Sequence, residues 1–354
     1  MEITKETAEL LEQLPQPVFL VNNRSVVYAN HGAQARGIQE GTPIDSLISI
    51  GTAEYEQFLT GKLMLTVSVA GIPYNTVVST MGELHMFCLE SEYSNPELRA
   101  FALAAQALRE PLANALLGID SLIPEQTVQD SPVLLEQIKA INKNMYQLHR
   151  AVRNMSDATT IGAVSNKELR DVANLFSEYA EKATVQLAKA GHQLLFQPLN
   201  RPAYCYINPE KIERAFLNLI SNAVKYAEKP STVTVSLRIG SSKLYISVES
   251  DCKDPQELIS SNLFTRFMRE PSIHSGRSGV GLGLTIAYGV ATAHKGTLLV
   301  EQPAQNRIRF TMSISADTSG ACAVNSPLVS FDNSGGYDSF LIELSEILPP
   351  DLYE

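Results

Sequence analysis

The chain has 354 residues, of which 44% are hydrophobic and 19% charged, with a formal net charge of -10. No apolar run approaches the roughly 20 residues of a membrane-spanning helix, so no membrane span is expected. The seven acids Asp317, Asp332, Asp338, Glu343, Glu346, Asp351 and Glu354 fall in residues 317–354 without a Lys or Arg, which leaves the body nearly neutral and excludes a basic nucleic-acid footprint.

The opening residues lack a basic flank and an apolar stretch, so no signal peptide is expected. Cys88, Cys205, Cys252 and Cys322 are scattered without metal-like spacing and read as reduced thiols of a cytoplasmic protein. A short helix is predicted over 3–14. Pro17–Val21 and Val26–Asn30 read as two strands around an Asn22-Asn23-Arg24 turn. Short helical pieces are expected over 31–58, then β runs at Leu63–Val69, Asn75–Val78 and His85–Leu89. Leu14-Pro15-Gln16-Pro17-Val18-Phe19, followed by Tyr28-Ala29-Asn30, resembles the start of a PAS sensor domain. That resemblance implies a small α+β sensor over residues 1–92.

Residues 95–123 carry Phe101, Ala105, Leu108, Leu112, Ala115, Ile119 and Leu122 at spacings of three and four, which predicts a helix kinked at Pro111. A second helix begins near Pro132, with Leu134, Ile138, Ile141, Met145, Leu148, Val152 and Met155 in alternating steps of four and three. Such a seam needs a partner, so residues 93–164 are expected to form a helical hairpin that pairs into a four-helix bundle in a dimer.

From residue 165 the pattern turns α/β. Helices are predicted at about 169–190 and 212–227, and another from Gly283 to about Ala293. Strands are predicted at Gln193–Phe196, Val233–Ile239, Leu244–Val248, Thr297–Glu301 and Ile308–Ile314. Residues 317–354 read as a linker rich in Ser, Gly, Asn and Asp, then a short amphipathic stretch at Phe340–Leu348 suited to docking on a partner or on its own chain.

Two segments of the α/β region carry chemistry. In Asn218-Leu-Ile-Ser-Asn222-Ala-Val-Lys225-Tyr226 the two asparagines lie one helical turn apart, on one face. An amide oxygen is a hard ligand suited to Mg²⁺, which keeps water and phosphate as its other partners. Lys225 and Tyr226 follow, placed to meet phosphate or base. In Gly279-Val-Gly281-Leu282-Gly283-Leu284 the glycines let the main chain approach phosphate without a Cβ in the way. A helix opens there, and its N-terminus favours an anion. In this order, with strands between them, the two segments describe a nucleotide pocket.

The order resembles the ATP-binding domain of sensor histidine kinases, of the GHKL superfamily. Asn218–Tyr226 matches the N box, Leu263–Arg269 the F box, Gly279–Leu284 a glycine box, and His294-Lys-Gly296 the turn after the helix. The resemblance implies a multidomain α+β chain whose residues 165–316 form an α/β sandwich (Bergerat) ATPase domain with ATP and Mg²⁺ as cofactors. It implies Asn222 as the metal ligand, Asn218 beside it, and Lys225, Tyr226, Gly279, Gly281, Leu282 and Gly283 on nucleotide. Residues 268–278 would form a mobile lid, with Arg269 and Arg277 near phosphate.

Three positions depart from the family. Ser250 stands where the family places an aspartate that accepts the adenine amino hydrogen, and Asp251 would substitute if the strand end shifts by one residue. In the predicted first helix of the hairpin, Gln106-Ala107-Leu108-Arg109-Glu110-Pro111-Leu112 keeps the family frame but has Gln106 at the phosphoacceptor histidine and Ala107 at the adjacent acid. Phosphoryl transfer needs a free imidazole lone pair, whereas an amide nitrogen's lone pair is delocalised. His149 reads as a flank residue beside the seam rather than as a replacement acceptor.

The expectation is a two-component sensor kinase homologue that transduces a cytosolic signal, binds ATP and lacks cis autophosphorylation. It would work as a homodimer or heterodimer with a response regulator or an active kinase. The alternatives are an active histidine kinase phosphorylating a partner chain in trans, and a nucleotide-independent protein-binding regulator.

Overall fold

The computed structural model describes residues 5–89, 132–157, 166–228, 230–240, 242–255, 282–316 and 338–353, with residues 108, 115 and 259. Leu108 and Ala115 are helical. The other residues of the predicted first hairpin helix, Gln106 and Ala107 among them, lie outside the described residues, as do the expected F box and lid, Arg269, Gly279 and Gly281.

The N-terminal part opens with α1 (Lys5–Glu12), β1 (Val18–Asn22), β2 (Ser25–Ala29) and α2 (His31–Gln34). Asn23 and Arg24, at φ 46° and 64°, form the two-residue turn of the β1–β2 hairpin, a conformation whose twist matches paired strands. Buried Asn30 fixes this corner. Its Oδ1 accepts from the backbone N–H of Val18 at 2.9 Å and of Ala33 at 3.0 Å, and its amide donates to Leu11 and Gln16 carbonyls. Then come β3 (Ile48–Ile50), α3 (Thr52–Glu56), β4 (Lys62–Val69), β5 (Ile72–Met81) and β6 (Leu84–Leu89). β3 was not expected from the sequence. Phe19, Ile38, Ile44, Leu63, Leu65, Val67, Val78 and Phe87 are fully buried in a core of their own.

Helix α4 (Pro132–Asp157) precedes β7 (Glu168–Asp171), α5 (Val172–Lys189), β8 (Gln193–Gln197), β9 (Tyr204–Ile207) and α6 (Pro209–Tyr226). The chain continues through β10 (Thr232–Ile239), β11 (Lys243–Asp251), α7 (Gly283–Ala293), β12 (Leu298–Ala304), β13 (Arg307–Ser315) and α8 (Ser339–Glu343). Strands β10, β11 and β13 alternate, apart from buried Ser313: Val233, Val235, Leu244, Ile246, Val248, Ile308, Phe310, Met312 and Ile314 point into a core shared with α5, α6 and α7. The opposite face carries Glu249 with Arg307 and Arg309, and Glu301 with Arg309. Half-exposed pairs of this kind contribute about 0–1 kcal/mol each, so the apolar face holds the layer.

The two halves share one sheet of 11 strands, ordered β2–β1–β6–β5–β4–β12–β13–β11–β10–β8, with β3 beside β4. The junction is an antiparallel ladder in which Leu298 faces Met64 and Leu299 faces Leu63. Close approach there demands glycine: a Cβ on Gly61, at φ +100°, would lie 2.2 Å from the Val300 carbonyl oxygen. Tyr288 of α7 crosses the same junction, its hydroxyl donating toward the Leu65 carbonyl at 2.9 Å and lying 3.1 Å from Asn75 Oδ1. Among the described residues no helix is long and apolar enough to cross a membrane.

Candidate nucleotide site

Helix α6 starts cleanly. Asn208 caps it by accepting from the Lys211 N–H at 3.0 Å, and Pro209 occupies the first turn. Ile212, Phe216, Leu219, Ile220 and Ala223 are fully buried in the core. Arg214, Asn218, Ser221, Asn222 and Lys225 recur at steps of three and four and share another arc of the helix.

The two asparagine amides are oriented by their own helix. Asn218 Nδ2 donates to the Arg214 carbonyl at 2.9 Å, and Asn222 Nδ2 donates to the Asn218 carbonyl at 2.7 Å. This geometry leaves each amide oxygen as the acceptor end, and that of Asn218 is taken by Arg150 Nη2 at 3.1 Å. Gly283, at the start of α7, packs directly on them. A Cβ at this position would lie 2.8 Å from Asn218 Oδ1 and 3.1 Å from Asn222 Nδ2. The two sequence segments therefore meet, and a side chain at this position would push against both amides. Leu282 and Tyr226, at 1% and 6% exposure, belong to the core beneath the site.

Strand alternation decides which way residues 250 and 251 face. β11 runs unbroken to residue 251, so Ser250 points inward and is fully buried. Its hydroxyl donates to the Ala223 carbonyl at 2.9 Å. Asp251 points to the other face and pairs with Arg307 at 3.0 Å. The one-residue shift that would have brought Asp251 into the pocket does not occur, because continuous pairing of β11 with β13 fixes the register.

The turn after α7 supports the site from behind. His294 is buried, its Nδ1–H donating to the Val290 carbonyl at 2.7 Å and its Nε2 accepting from the N–H of Asn208, the cap of α6, at 3.1 Å. Burial pushes its pKa down to about 4, so the ring is neutral.

Five residues not singled out by sequence reasoning complete the α6 face. Glu343 is 0% exposed and sits 2.8 Å from Arg214 Nε, 3.5 Å from Arg150 Nε and 3.9 Å from Arg153 Nη1. Burial pushes its carboxyl up, but the guanidinium groups of Arg214, Arg150 and Arg153 outweigh that and hold it below the usual carboxylate range. Asn218 Nδ2 donates to Glu343 Oε2 at 3.1 Å, and Arg150 Nη2 donates to Asn218 Oδ1 at 3.1 Å and to Ser221 Oγ at 3.3 Å. Glu346 accepts from Lys225 Nζ at 3.0 Å and lies 3.2 Å from Arg150 Nη1. The available signal was the pair Arg150 and Arg153 on the polar side of a heptad helix, and the acids inside an amphipathic tail.

That polar side of α4 is the buried one. Asn142, His149, Arg150, Arg153 and Asn154 are buried, while the seam residues Ile141 and Leu148 are each 47% exposed. His149 is therefore an inward residue rather than a flank residue, because α4 turns its charged face to the α6 layer and the tail.

Residues 207–318 match the family of histidine kinase-, DNA gyrase B- and HSP90-like ATPases. Residues 207–318 therefore carry a domain of that ATPase family, and the chain is similar to sensor histidine kinases. It is 30% identical over 236 residues to histidine kinase P4 of Formosa agariphila, covering 60% of this chain and 16% of that protein. It is 27% identical over 219 residues to the probable sensor kinase SilS of Salmonella typhimurium, covering 59% of this chain and 43% of that one. Among solved structures it is similar to the Acinetobacter baumannii histidine kinase AdeS, at 20% identity and a TM-score of 0.38, over 59% of this chain and 95% of that chain. The chain thus spans less than half the length of these two curated relatives.

An ATPase domain of this family implies ATP binding. The residues fit a polyphosphate: bare backbone at Gly283, two oriented amides and the ammonium of Lys225 lie on one surface. Among the described residues no cluster of His, Cys, Asp or Glu is arranged to hold a metal ion without the nucleotide.

Proposed function

We propose that this chain is a cytoplasmic, kinase-like signalling regulator that binds Mg·ATP on α6 and does not phosphorylate itself in cis. The observation that carries the nucleotide site is the approach of Gly283 to Asn218 and Asn222. Asn222 offers Mg²⁺ one amide oxygen, with water and phosphate supplying the rest of its shell. Lys225 neutralises phosphate, Tyr226 borders the base, Gly279 and Gly281 extend the bare backbone, and Arg269 belongs to the lid. Ser250 gives the base a hydroxyl in place of a carboxylate, which weakens discrimination of adenine.

Gln106 and Ala107 remove the phosphoacceptor and its acid, so the signal passes by contact rather than by a phosphohistidine. Residues 1–92 act as a PAS-like sensor, 93–164 as a dimerising hairpin, 165–316 as the ATPase domain and 317–354 as the acidic tail. The exposed seam residues Ile141 and Leu148 support pairing with a second copy or with an active kinase, and a response regulator is the downstream partner.

The test is incubation of the purified chain with γ-labelled ATP and Mg²⁺, followed by analysis of acid-labile phosphate. No phosphohistidine is expected. Label recovered on this chain alone would end the proposal.

A further inference from the structure

Residues 338–353 are a folded unit seated on the nucleotide face. Asp338 caps α8 by accepting from the Phe340 N–H at 2.8 Å. Phe340, Ile342, Leu344, Leu348 and Tyr353 are each at most 3% exposed, so the tail is anchored by apolar burial. Tyr353 packs edge-on against Tyr146 of α4, and Phe340 against Tyr179 of α5. Gln147 of α4 donates to the Ser345 carbonyl at 3.1 Å.

This anchoring aims two carboxylates at α6. Glu343 and Glu346, three residues apart, project to one side of the tail. Glu343 accepts from Asn218 at 3.1 Å, and Glu346 accepts from Lys225 at 3.0 Å. With Arg150 on its Oδ1, Asn218 is engaged at both ends of its amide. A cation-rich surface built around Arg150, Arg214 and Lys225 is thus filled by two anions from the same chain. Those anions sit on the groups that a magnesium–polyphosphate would need.

We propose that residues 338–353 are a built-in competitor of the nucleotide, so that the seated tail and bound Mg·ATP exclude one another, a competition that presupposes ATP binding at α6. The apparent affinity for ATP is then the intrinsic affinity multiplied by the fraction of chains whose tail is released. Arg150 and Arg153 belong to α4, so the same carboxylates also tie that helix to the ATPase layer. Nucleotide occupancy and the freedom of α4 are thereby linked through Glu343 and Glu346.

The experiment uses the full chain in three forms: wild type, Glu343→Gln and Glu346→Gln. Mg·ATP affinity is measured by calorimetry, and hydrogen exchange of residues 338–353 is followed with and without saturating Mg·ATP. Both substitutions are expected to tighten binding by about tenfold or more. Nucleotide is expected to speed exchange across the wild-type tail. Equal affinity in all three chains, with tail exchange unchanged by nucleotide, would overturn the competition and leave ATP binding intact. No binding to any of them would overturn both. If Glu343→Gln fails to fold by circular dichroism, the partly exposed Glu346 and the wild-type exchange data decide the outcome.

Discussion

Asn218 donates its side-chain amide to Glu343, 125 positions further along the chain, at 3.1 Å, and both residues are fully buried. A carboxylate at zero exposure is tolerated because Arg214 lies 2.8 Å away, with Arg150 and Arg153 behind it. Arg214→Ala removes the nearest guanidinium and its bond to Asn154 at 3.0 Å. The expected loss is about 3 kcal/mol of stability, read as a lower urea midpoint, because breaking a buried pair strands the remaining charge. An unchanged midpoint would mean that Arg150 and Arg153 neutralise Glu343 by themselves.

His294 makes the fold acid-sensitive. Its folded pKa is lowered from 6.5 to about 4, so between those values the unfolded state binds the extra proton. Stability therefore falls as pH drops through this window, by about 3 kcal/mol in total. His294→Gln is expected to flatten that part of the stability–pH curve. Unfolding by denaturant at a series of pH values checks this, and parallel curves for the two chains would count against it.

Tyr288→Phe tests the junction of the two halves. The hydroxyl bonds to the Leu65 carbonyl and to Asn75 across the β4–β12 ladder. Its loss leaves the buried Leu65 carbonyl without this donor, at about 1 kcal/mol. Hydrogen exchange is expected to rise first in β4 and β5. A rise confined to α7 would show that the hydroxyl serves α7 alone.

Much of this could be read from sequence, for identifiable reasons. Helix α6 announced itself through its apolar stripe, although Asn208 and Pro209 start it at residue 209 rather than at the expected 212, and its asparagines are ordered by the helix itself. The register of β11 was less legible, because placing Asp251 required knowing that pairing with β13 continues through residue 251. β7 and β9 are four residues each and pair only with one another, which is too short for alternation to show. The β4–β12 ladder was invisible, since an apolar edge strand reads the same whether or not another strand covers it. The tail contacts were hidden for a similar reason. Glu343 meets Arg150 and Arg214 across long separations, and local periodicity carries no information about such pairs. On α4 the predicted seam is split, with Ile141 and Leu148 exposed and Val152 buried, and the polar residues Asn142, His149, Arg150, Arg153 and Asn154 are buried within this chain as well.

The proposed nucleotide site gives Ser250 a testable part in base preference. Ser250→Asp places a carboxylate where the hydroxyl now donates to the Ala223 carbonyl. The aspartate is expected to favour ATP over GTP by about tenfold relative to wild type, since adenine offers an amino donor where guanine offers a carbonyl oxygen. Competition titrations of the two nucleotides measure the ratio. An unchanged ratio would place the base elsewhere.

The most direct measurement is a calorimetric titration of Mg·AMPPNP into the full chain carrying Glu346→Gln, beside the same chain also carrying Asn222→Ala. Saturable binding that requires Mg²⁺ and weakens at least about tenfold with Asn222→Ala is the predicted result. Binding that ignores both Mg²⁺ and Asn222 would contradict a nucleotide site on α6.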